Sequence, residues 1–419
     1  MPGDTGDPGE VGEVRATLGG GAPVSRAGHV PPGHPMRRAL ARAATARRRS
    51  APNPWVGCVI VGPDGVVVGE GATAVPGGPH AEVEALREAG ERARGATAYV
   101  TLEPCAHRGR TGPCAGALVE AGIARVVSAL EDPDPRVAGR GHDWLRAEGV
   151  EVDVGVGAGE AADLLAPYLH QRRTGRAFAV LKTAASLDGR TAAADGSSRW
   201  ITGPDARADA HALRADSQAV VVGSGTALAD RPSLTVRDLP GGAGEPGPPA
   251  RPALRVVLDA RGRVPAEGPL SDTGIAPTLV VTTEAGDARR LDEWRAAGAT
   301  VEVAPPGPGG VGVDPAEVLA LLARDHGVVQ ALVEGGARLH GSLLTAGLAD
   351  RLVAYVAPLV LGERGRAVFG VPGPDSIEAA RPLRLLSVVP LGRDVRLDLE
   401  PDGREYPDGP PRRGREEAA

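Results

Sequence analysis

The stretch LEPCAHRGRTGPC, residues 102–114, holds two of the three cysteines of the chain and a histidine. The strand pattern ATAYVTLEP leads into it, and the helical pattern PCAGALVEAG begins at its end. Further strand and helix patterns alternate on both sides, which predicts an α/β fold with a sheet covered by helices. The cysteines themselves are open to three interpretations: a disulfide loop, a packed turn or part of a metal site.

The bulk properties restrict the class of protein. A chain of 419 residues is too long for one ordinary core and predicts two domains. Three cysteines cannot form a disulfide framework, and no signal-peptide pattern or membrane-spanning apolar run is present, so we expect a cytoplasmic protein without a membrane partner. The net charge of -6 argues against a broad nucleic-acid surface.

One local segment, RRALARAATARRRS at residues 37–50, is rich in arginine although the whole chain has a negative net charge. Its apolar residues fall on one helical stripe, and most of the arginines point elsewhere. A solvated helix face is the interpretation we favour. A phosphate track for RNA is the alternative.

Composition divides the chain into four parts. A polar, basic link, YLHQRRTG, precedes a new set of strand patterns: FAVLKTAAS, AVVVG, LRVVLDA, TLVVTT, TVEVA, VQALVEGG and RLVAYVAPLVL. These alternate with helical patterns and predict a second α/β domain. The predicted division is a disordered extension at 1–33, a first domain at 34–173, a second domain at 174–400 and a polar tail at 401–419.

His80, Cys105 and Cys114 together offer the donors of a zinc site. One imidazole and two thiolates leave the fourth tetrahedral position for water, as in a catalytic zinc site. His107 could supply a fourth ligand, which would make the site structural instead. Cys58 lies in a predicted buried strand and is interpreted as a core residue.

Glu82 follows His80 by two residues, at the start of a predicted helix. It could approach the metal-bound water and move protons without binding the metal. The order His-x-Glu, Pro-Cys and a second cysteine is the pattern of zinc nucleobase deaminases. Here eight residues separate the cysteines instead of two, and this basic insert could wrap over a small phosphorylated substrate.

Several longer motifs resemble the bifunctional deaminase–reductase family of riboflavin biosynthesis. PNPWVGCVIV, PHAEVEAL, EPCAHRGRTGPC and EDPDPRVAGRGHDWLRAEGVEV are similar to its deaminase half. LKTAASLDGRTA, SSRWITG, LRADSQAVVVGSGTALADRPSLTVR, RVVLDARGRVP and LVEGGARLHGSLL are similar to its reductase half. The resemblance covers about residues 35–400. It implies two domains, a cytidine-deaminase-like α/β/α domain and a dihydrofolate-reductase-like α/β domain.

The resemblance also implies two reactions, with Zn2+ and NADPH as cofactors and a small phosphorylated pyrimidine as substrate. Zinc-dependent hydrolysis removes the 2-amino group of 2,5-diamino-6-(5-phosphoribosylamino)pyrimidin-4-one. NADPH then reduces the ribosyl group and gives 5-amino-6-(5-phosphoribitylamino)uracil. Members of this family are often oligomers, so the resemblance makes a homo-oligomer possible, but the residues of this chain do not show one.

Site residues of the deaminase half follow from the resemblance by position. The metal ligands are His80, Cys105 and Cys114, with Glu82 as the catalytic residue. Substrate contacts fall on Asn53, His107, Arg110 and Asp132, among which Arg110 suits a phosphate. Two positions depart from the family pattern: Thr73 replaces a usual histidine and Asp134 a usual asparagine.

The reductase half has no G-x-G-x-x-G after a strand, and GVGAGEAADLL at 155–165 is interpreted as the end of the first domain. Glycine turns such as LVEGGARLHGSLL can bind phosphates instead. By resemblance, NADPH contacts fall on Ala184, Trp200, Thr226, Asp230, Gly336, Ala337, Arg338, Leu339, His340, Gly341 and Ser342. Substrate contacts fall on Ser198, Arg214, Leu234, Arg237 and Glu334. Trp200 could equally be a core residue, and Lys182 and Asp188 could assist the reaction.

Three alternatives to a two-step enzyme remain from sequence. One half could be inactive, the chain could deaminate a base in RNA, or the zinc could be purely structural. Scarce aromatic residues and the whole reductase half argue against RNA. A structural zinc would unfold the protein on removal.

Overall fold

A computed structural model describes residues 30–106, 112–237, 239, 246–370 and 373–402. Several expectations fall outside these residues: most of the predicted extension (1–29), His107 and Arg110 of the cysteine loop, and the tail from 403 to 419. Val30 is buried in a cluster with Met36, which is the first buried residue of the helix that follows. Residues 30–33 therefore belong to the folded part rather than to the predicted extension.

The first sheet is mixed and has five strands in the described residues. They are β1 (Gly57–Val61), β2 (Val67–Ala72), β3 (Thr97–Val100), β4 (Arg125–Ser128) and β5 (Glu151–Val154). Their spatial order is β2-β1-β3-β4-β5, with β1 antiparallel to β2 and β3, and with β3, β4 and β5 parallel. β1 and β2 form a hairpin whose turn contains Pro63-Asp64-Gly65.

Helices cover both faces of this sheet. They are α1 (Pro35–Ala46), α2 (Ala81–Ala89), α3 (Cys114–Glu120), α4 (Arg140–Ala147) and α5 (Ala158–Thr174), with a short 3-10 helix at Gly90–Ala93. Two glycines allow helices to lie close to strands: a Cβ at Gly57 would be 2.0 Å from the Ala39 carbonyl oxygen, and one at Gly71 would be 2.1 Å from that of Ala81. The close approach at Gly71 fixes the N-terminal end of α2, where His80 and Glu82 lie.

The second sheet has nine strands in the described residues, and a separate two-stranded sheet lies beside it. In chain order the strands are β6 (Phe178–Ser186), β7 (Arg190–Ala192), β8 (Ala219–Gly223), β9 (Leu254–Leu258), β10 (Thr278–Thr282), β11 (Thr300–Val303), β12 (Gln330–Gly335), β13 (Arg351–Ala357), β14 (Arg366–Ala367), β15 (Leu383–Leu391) and β16 (Asp394–Pro401). The large sheet has the order β11-β10-β9-β8-β12-β6-β13-β16-β15, and β7 pairs with β14. In this spatial order, the first seven strands, β11 through β13, are parallel to their neighbours. β16 and β15 then add an antiparallel edge.

The helices of the second half connect the parallel strands. They are α6 (Pro204–Ala215), α7 (Ser224–Asp230), α8 (Ala288–Ala296), α9 (Pro315–Arg324) and α10 (Ala337–Thr345), with 3-10 helices at Pro269–Ser271 and Pro308–Gly310. The seven strands expected here from sequence are confirmed, and so is the α/β fold class. Two apolar clusters, one built around Leu181 and Leu322 and the other around Val257 and Trp294, fill the space between sheet and helices.

Two features differ from the sequence interpretation, one at the end of the first half and one in the second half. The segment expected to be a polar link is helical: α5 continues to Thr174 and is capped by Gly175 in the left-handed conformation. Arg172 and Arg173 lie in its last turn, where their positive charges stabilise the negative, C-terminal end of the helix dipole. The sequence analysis also missed the β15–β16 hairpin, because β15 is an edge strand without an alternating burial pattern.

In the ranges that the structure describes, every helix is too short or too polar to cross a membrane.

Candidate active sites

The three predicted zinc ligands lie at the ends of secondary structure elements. His80 immediately precedes α2, and Cys114 is the first residue of α3. Cys105 lies in the turn after β3, where its carbonyl oxygen accepts the backbone N–H of Ala115 at 3.2 Å. That bond brings the two cysteines together despite the long insert between them.

The side-chain donors of these residues converge. His80 Nδ1 is 3.7 Å from the Cys105 Sγ and 3.3 Å from the Cys114 Sγ, and the three donor atoms lie within 4.8 Å of one another. In a tetrahedral zinc site with Zn–S and Zn–N bonds of about 2.3 and 2.0 Å, neighbouring nitrogen and sulfur donors are roughly 3.5 Å apart. The donor set therefore fits Zn2+. The alternative fourth ligand, His107, lies outside the described residues.

The surroundings of Cys105 favour its thiolate. The Cys114 thiol, the His80 ring and the backbone N–H of Cys114 all contact the Cys105 sulfur and hold the pKa of Cys105 well below its usual range. A thiolate is the form that binds zinc. Cys58 is different: burial in β1 raises the pKa of its thiol, in agreement with its interpretation as a core residue.

Glu82 lies in the first turn of α2, two residues after His80, and its side chain is buried. Burial first, and the nearby Cys105 second, raise the pKa of Glu82 to about 7, while His80 acts in the opposite direction. Its carboxyl group also contacts the Cys114 thiol. A carboxyl group whose pKa is close to neutral can both take up and release a proton, as general acid–base catalysis requires.

Sequence reasoning missed Glu103, which organises the loop beside the zinc ligands. Its buried carboxylate accepts the backbone N–H groups of Asp132, Gly139 and Gly141 at 3.1, 2.9 and 2.8 Å. Glu103 is two residues from Cys105, so it joins the loop that carries Asp132 to the turn that carries a zinc ligand. The sequence signal was an acidic residue in a buried position directly before Pro-Cys.

Asp132 is held within this loop rather than free. Its carboxylate accepts the Tyr168 hydroxyl at 3.0 Å and the Asp134 backbone N–H at 2.9 Å. Burial raises the pKa of Asp132 to about 6. Asn53 lies in the turn after α1 and has a backbone contact with Ser50. Within the described residues, neither Asn53 nor Asp132 forms a hydrogen bond with a zinc donor.

The two departures from the family pattern have structural partners. The Thr73 hydroxyl accepts the Val56 backbone N–H at 3.0 Å and extends the β1–β2 pairing. Asp134 pairs with the Arg136 guanidinium at 2.6 Å, and this contact lowers the pKa of Asp134 to about 2. Both side chains therefore contribute to local structure.

In the second half, Arg214 and Glu334 form the central polar pair. The guanidinium contacts both carboxylate oxygens, with 2.7 Å between Nη2 and Oε2, and its Nη1 donates to the Thr235 carbonyl at 2.9 Å. Burial would raise the pKa of Glu334, but Arg214 outweighs it and holds this pKa below its usual range. Lys182 adds a further positive charge, and burial lowers its pKa.

The glycine turn that the sequence predicts to bind phosphate lies between β12 and α10. Gly336 has a φ of +89°, and a Cβ at Gly335 would lie 2.8 Å from the Thr226 hydroxyl. The positive φ of Gly336 favours glycine, and a side chain at Gly335 would collide with the side chain of Thr226. His340, in the following helix, is buried with its Nε2 3.1 Å from the Val333 carbonyl oxygen. By contrast, Gly157 in the GVGAGEAADLL segment faces Val30 and Met36, which fill the space that a Rossmann phosphate would need.

Comparisons with known proteins agree with this arrangement of two sites. The profile of the cytidine and deoxycytidylate deaminase zinc-binding region matches residues 34–130, and that of the RibD C-terminal domain matches residues 177–397. The riboflavin biosynthesis protein RibD of Escherichia coli is 44% identical over 369 residues, covering 87% of this chain and 98% of its own. RibD of Chlamydia pneumoniae is 44% identical over 365 residues, covering 87% and 94%.

This chain belongs to the RibD family.

Solved RibD structures show the same fold over most of the chain. Acinetobacter baumannii RibD superimposes with a TM-score of 0.78 at 41% identity, covering 87% of this chain and 97% of that chain. The deaminase/reductase of Thermotoga maritima superimposes with a TM-score of 0.74 at 31% identity, with the same coverage. The expected fold and the bifunctional deaminase–reductase function in riboflavin biosynthesis are thereby confirmed, with Zn2+ and NADPH as the RibD cofactors.

The remaining predicted RibD reductase contacts spread over several elements. Trp200 is 65% exposed beneath the Arg207 guanidinium, which excludes the alternative that it is a core residue. Leu234 is buried, and the Arg237 backbone N–H donates to His211 Nδ1 at 3.2 Å. Ala184 lies in β6, Asp230 ends α7, and Ser198 lies in the loop before Trp200. The site roles of these residues stay predictions.

Proposed function

We propose that this chain carries out both reactions named for the Thermotoga maritima protein, diaminohydroxyphosphoribosylaminopyrimidine deamination and 5-amino-6-(5-phosphoribosylamino)uracil reduction. His80, Cys105 and Cys114 hold the zinc, and Glu82 is the general acid–base. The convergence of these three donors beside a buried carboxyl group is the observation that carries the proposal. Asn53, His107, Arg110 and Asp132 contact the substrate.

When bound, the zinc activates a water molecule, and NADPH supplies the hydride for the second reaction. Glu82 takes a proton as the water attacks the pyrimidine ring and returns it to the departing amino group, which leaves as ammonia. Its buried position keeps this proton exchange away from bulk solvent. Glu103 acts indirectly because it holds the Asp132 loop against the ligand turn.

In the reductase half, we assign NADPH to Ala184, Trp200, Thr226, Asp230 and the segment from Gly336 to Ser342. The glycine turn suits the cofactor phosphates, since backbone N–H groups can approach them there. Ser198, Arg214, Leu234, Arg237 and Glu334 bind the ribosyl phosphate substrate. With NADPH bound, C1′ of the ribosyl group would accept a hydride, the ring C–O bond would break, and the ring oxygen would take a proton. The protein positions the two carbons and stabilises charge.

The two activities divide at the junction between α5 and β6, with the deaminase at 34–173 and the reductase at 174–400. The partner is a small phosphorylated pyrimidine rather than a nucleic acid, and the free thiols of all three cysteines suit the cytoplasm.

Glu82→Gln tests the division of labour directly. The purified wild type and variant receive either the diamino substrate or the deaminated one, and NADPH oxidation and ammonia release are followed. We expect the variant to lose deamination by about 10²-fold or more and to reduce the deaminated substrate at the wild-type rate. If wild-type protein oxidises NADPH with neither substrate, the reductase assignment is wrong.

A further inference from the structure

The arginine cluster near the end of α1 divides into two groups. Arg38 and Arg42 pair with Glu70 of β2, within the deaminase half. Arg47 and Arg48 instead contact residues of the reductase half. The predicted solvated helix face therefore describes only the first group.

Arg48 is 8% exposed and binds the reductase half through three groups. Its Nε is 2.6 Å from Oδ1 of Asp216, and its Nη1 donates to the Pro246 carbonyl at 2.8 Å. Its own carbonyl oxygen accepts the Ala250 backbone N–H at 3.2 Å. The guanidinium is thus held by a carboxylate and a backbone carbonyl at once.

Arg47 contacts a second element of the reductase half, the strand β12. Its Nη2 donates to Gln330 Oε1 at 3.0 Å, and its Nε lies 3.7 Å from Oδ2 of Asp216. The guanidinium also lies over the Trp55 ring, 5.6 Å from the centroid. Two adjacent arginines of one half therefore hold two separate elements of the other.

Asp216 and Gln330 belong to the elements that carry the polar pair of the reductase site. Asp216 caps α6 two residues after Arg214, and Gln330 begins β12 four residues before Glu334. The two elements are joined at this end, because Gln330 Nε2 donates to Ser217 Oγ at 2.9 Å. A displacement of either anchor would therefore move one partner of the Arg214–Glu334 pair relative to the other.

We propose that Arg48, with Arg47, is a positioning residue for the reductase reaction, although it belongs to the deaminase half. Arg48 holds Asp216 and Arg47 holds Gln330, so together they fix α6 against β12 and set the geometry of the Arg214–Glu334 pair. This role rests on the proposed substrate contact of that pair. The deaminase half then contributes to reduction without touching the reductase substrate.

The test compares Arg48→Ala and Arg48→Lys with Arg49→Ala, a neighbouring arginine that is exposed. Full-length variants receive the deaminated substrate, and the KM and kcat of NADPH oxidation are measured, together with ammonia release from the diamino substrate. We expect Arg48→Ala to raise the KM for the deaminated substrate about tenfold, because small misplacements of binding groups are costly. Arg48→Lys should show a smaller rise, since an ammonium can reach Asp216 but lacks the planar fork for Pro246.

Arg49→Ala should leave both activities unchanged, and deamination by the Arg48 variants should stay within about twofold of wild type. The proposal is overturned if Arg48→Ala leaves the reductase KM unchanged, or if Arg49→Ala raises it equally. It is also overturned if deamination, reduction and melting temperature all fall together, because the contact would then only fasten the two halves.

Arg214→Lys separates this proposal from the function on which it rests. If Arg214→Lys raises the KM for the deaminated substrate and Arg48→Ala does not, only the positioning role fails. If neither variant changes that KM, the substrate assignment of the Arg214–Glu334 pair fails as well.

Discussion

The two sites of this chain are built in opposite ways. The deaminase site gathers three metal donors and a carboxyl group from two short segments, one at the start of α2 and one that runs from the turn after β3 to the start of α3. The reductase site draws on β6, α6, α7, β12 and α10, which span more than 160 residues of the chain, from Phe178 to Thr345. The first site depends on a few donor atoms, whereas the second depends on how whole elements pack.

This difference follows from the chemistry. A metal site needs specific donors at fixed distances, so the residue types and their spacing reveal it. Hydride transfer needs no nucleophile and mainly needs two carbons held in place. Substitutions at the first site should therefore cause large, confined losses, and substitutions at the second should cause smaller, distributed ones.

The largest expected effect is the loss of a zinc ligand. Cys105→Ser should lower deamination by roughly 10³-fold or more, because the water would lose its activating metal. Reduction of the deaminated substrate should stay near the wild-type rate. Metal analysis of the purified variant should find bound zinc greatly reduced.

Cys58→Ala is the matched control, since Cys58 is a cysteine buried in β1 that does not belong to the cluster of donor atoms. It should retain zinc and most of the deaminase activity. Equal zinc loss in both variants would show that the fold, and not the donor atom, determines metal binding.

An intermediate effect is expected at Glu103. Glu103→Gln replaces one carboxylate oxygen, so at least one of the three loop N–H groups would face a donor instead of an acceptor. The lost charged hydrogen bonds correspond to about 2 kcal/mol, and we expect the KM for the diamino substrate to rise by up to roughly thirtyfold with zinc retained. Steady-state rates of ammonia release at increasing concentrations of the diamino substrate measure this KM.

Glu120→Gln, on the exposed end of α3, is the control and should leave the KM unchanged. A Glu103→Gln variant with wild-type KM would mean that the loop keeps its position without the carboxylate.

The smallest effect concerns the pH dependence of the reductase half. Burial lowers the pKa of His340 from 6.5 to about 4, so the folded protein keeps this ring neutral where the unfolded chain would bind a proton. Its contribution to stability is therefore fully present above about pH 6.5 and is lost as the pH falls towards about 4. His340→Gln should reduce this acid sensitivity.

Hydrogen exchange of the β12–α10 peptides, corrected for intrinsic rates, measures the local free energy of opening at each pH. His326→Gln, at a partly exposed position that contacts Glu302, is the control and should keep the wild-type slope. An unchanged slope in His340→Gln would assign the acid sensitivity to other groups.

Particular residues show where sequence reasoning succeeded. His80, Cys105 and Cys114 were recognised because donor type and order are chemical signals, and the structure brings their donor atoms together. The seven strands predicted for the second domain were recognised because apolar runs bounded by turn residues are local signals. Glu103 was missed because its three N–H partners lie 29 to 38 residues away in the chain.

The sequence by itself determined the two-domain α/β fold, the zinc donors and the general acid–base candidate, since spacing and residue chemistry encode these directly. Only the tertiary structure decided that Arg47 and Arg48 leave the solvated helix face and hold Asp216 and Gln330 in the other half. It also decided that Arg214 meets Glu334 across 120 residues. Contacts of this kind depend on how separate elements pack, and no local pattern in the chain records that packing.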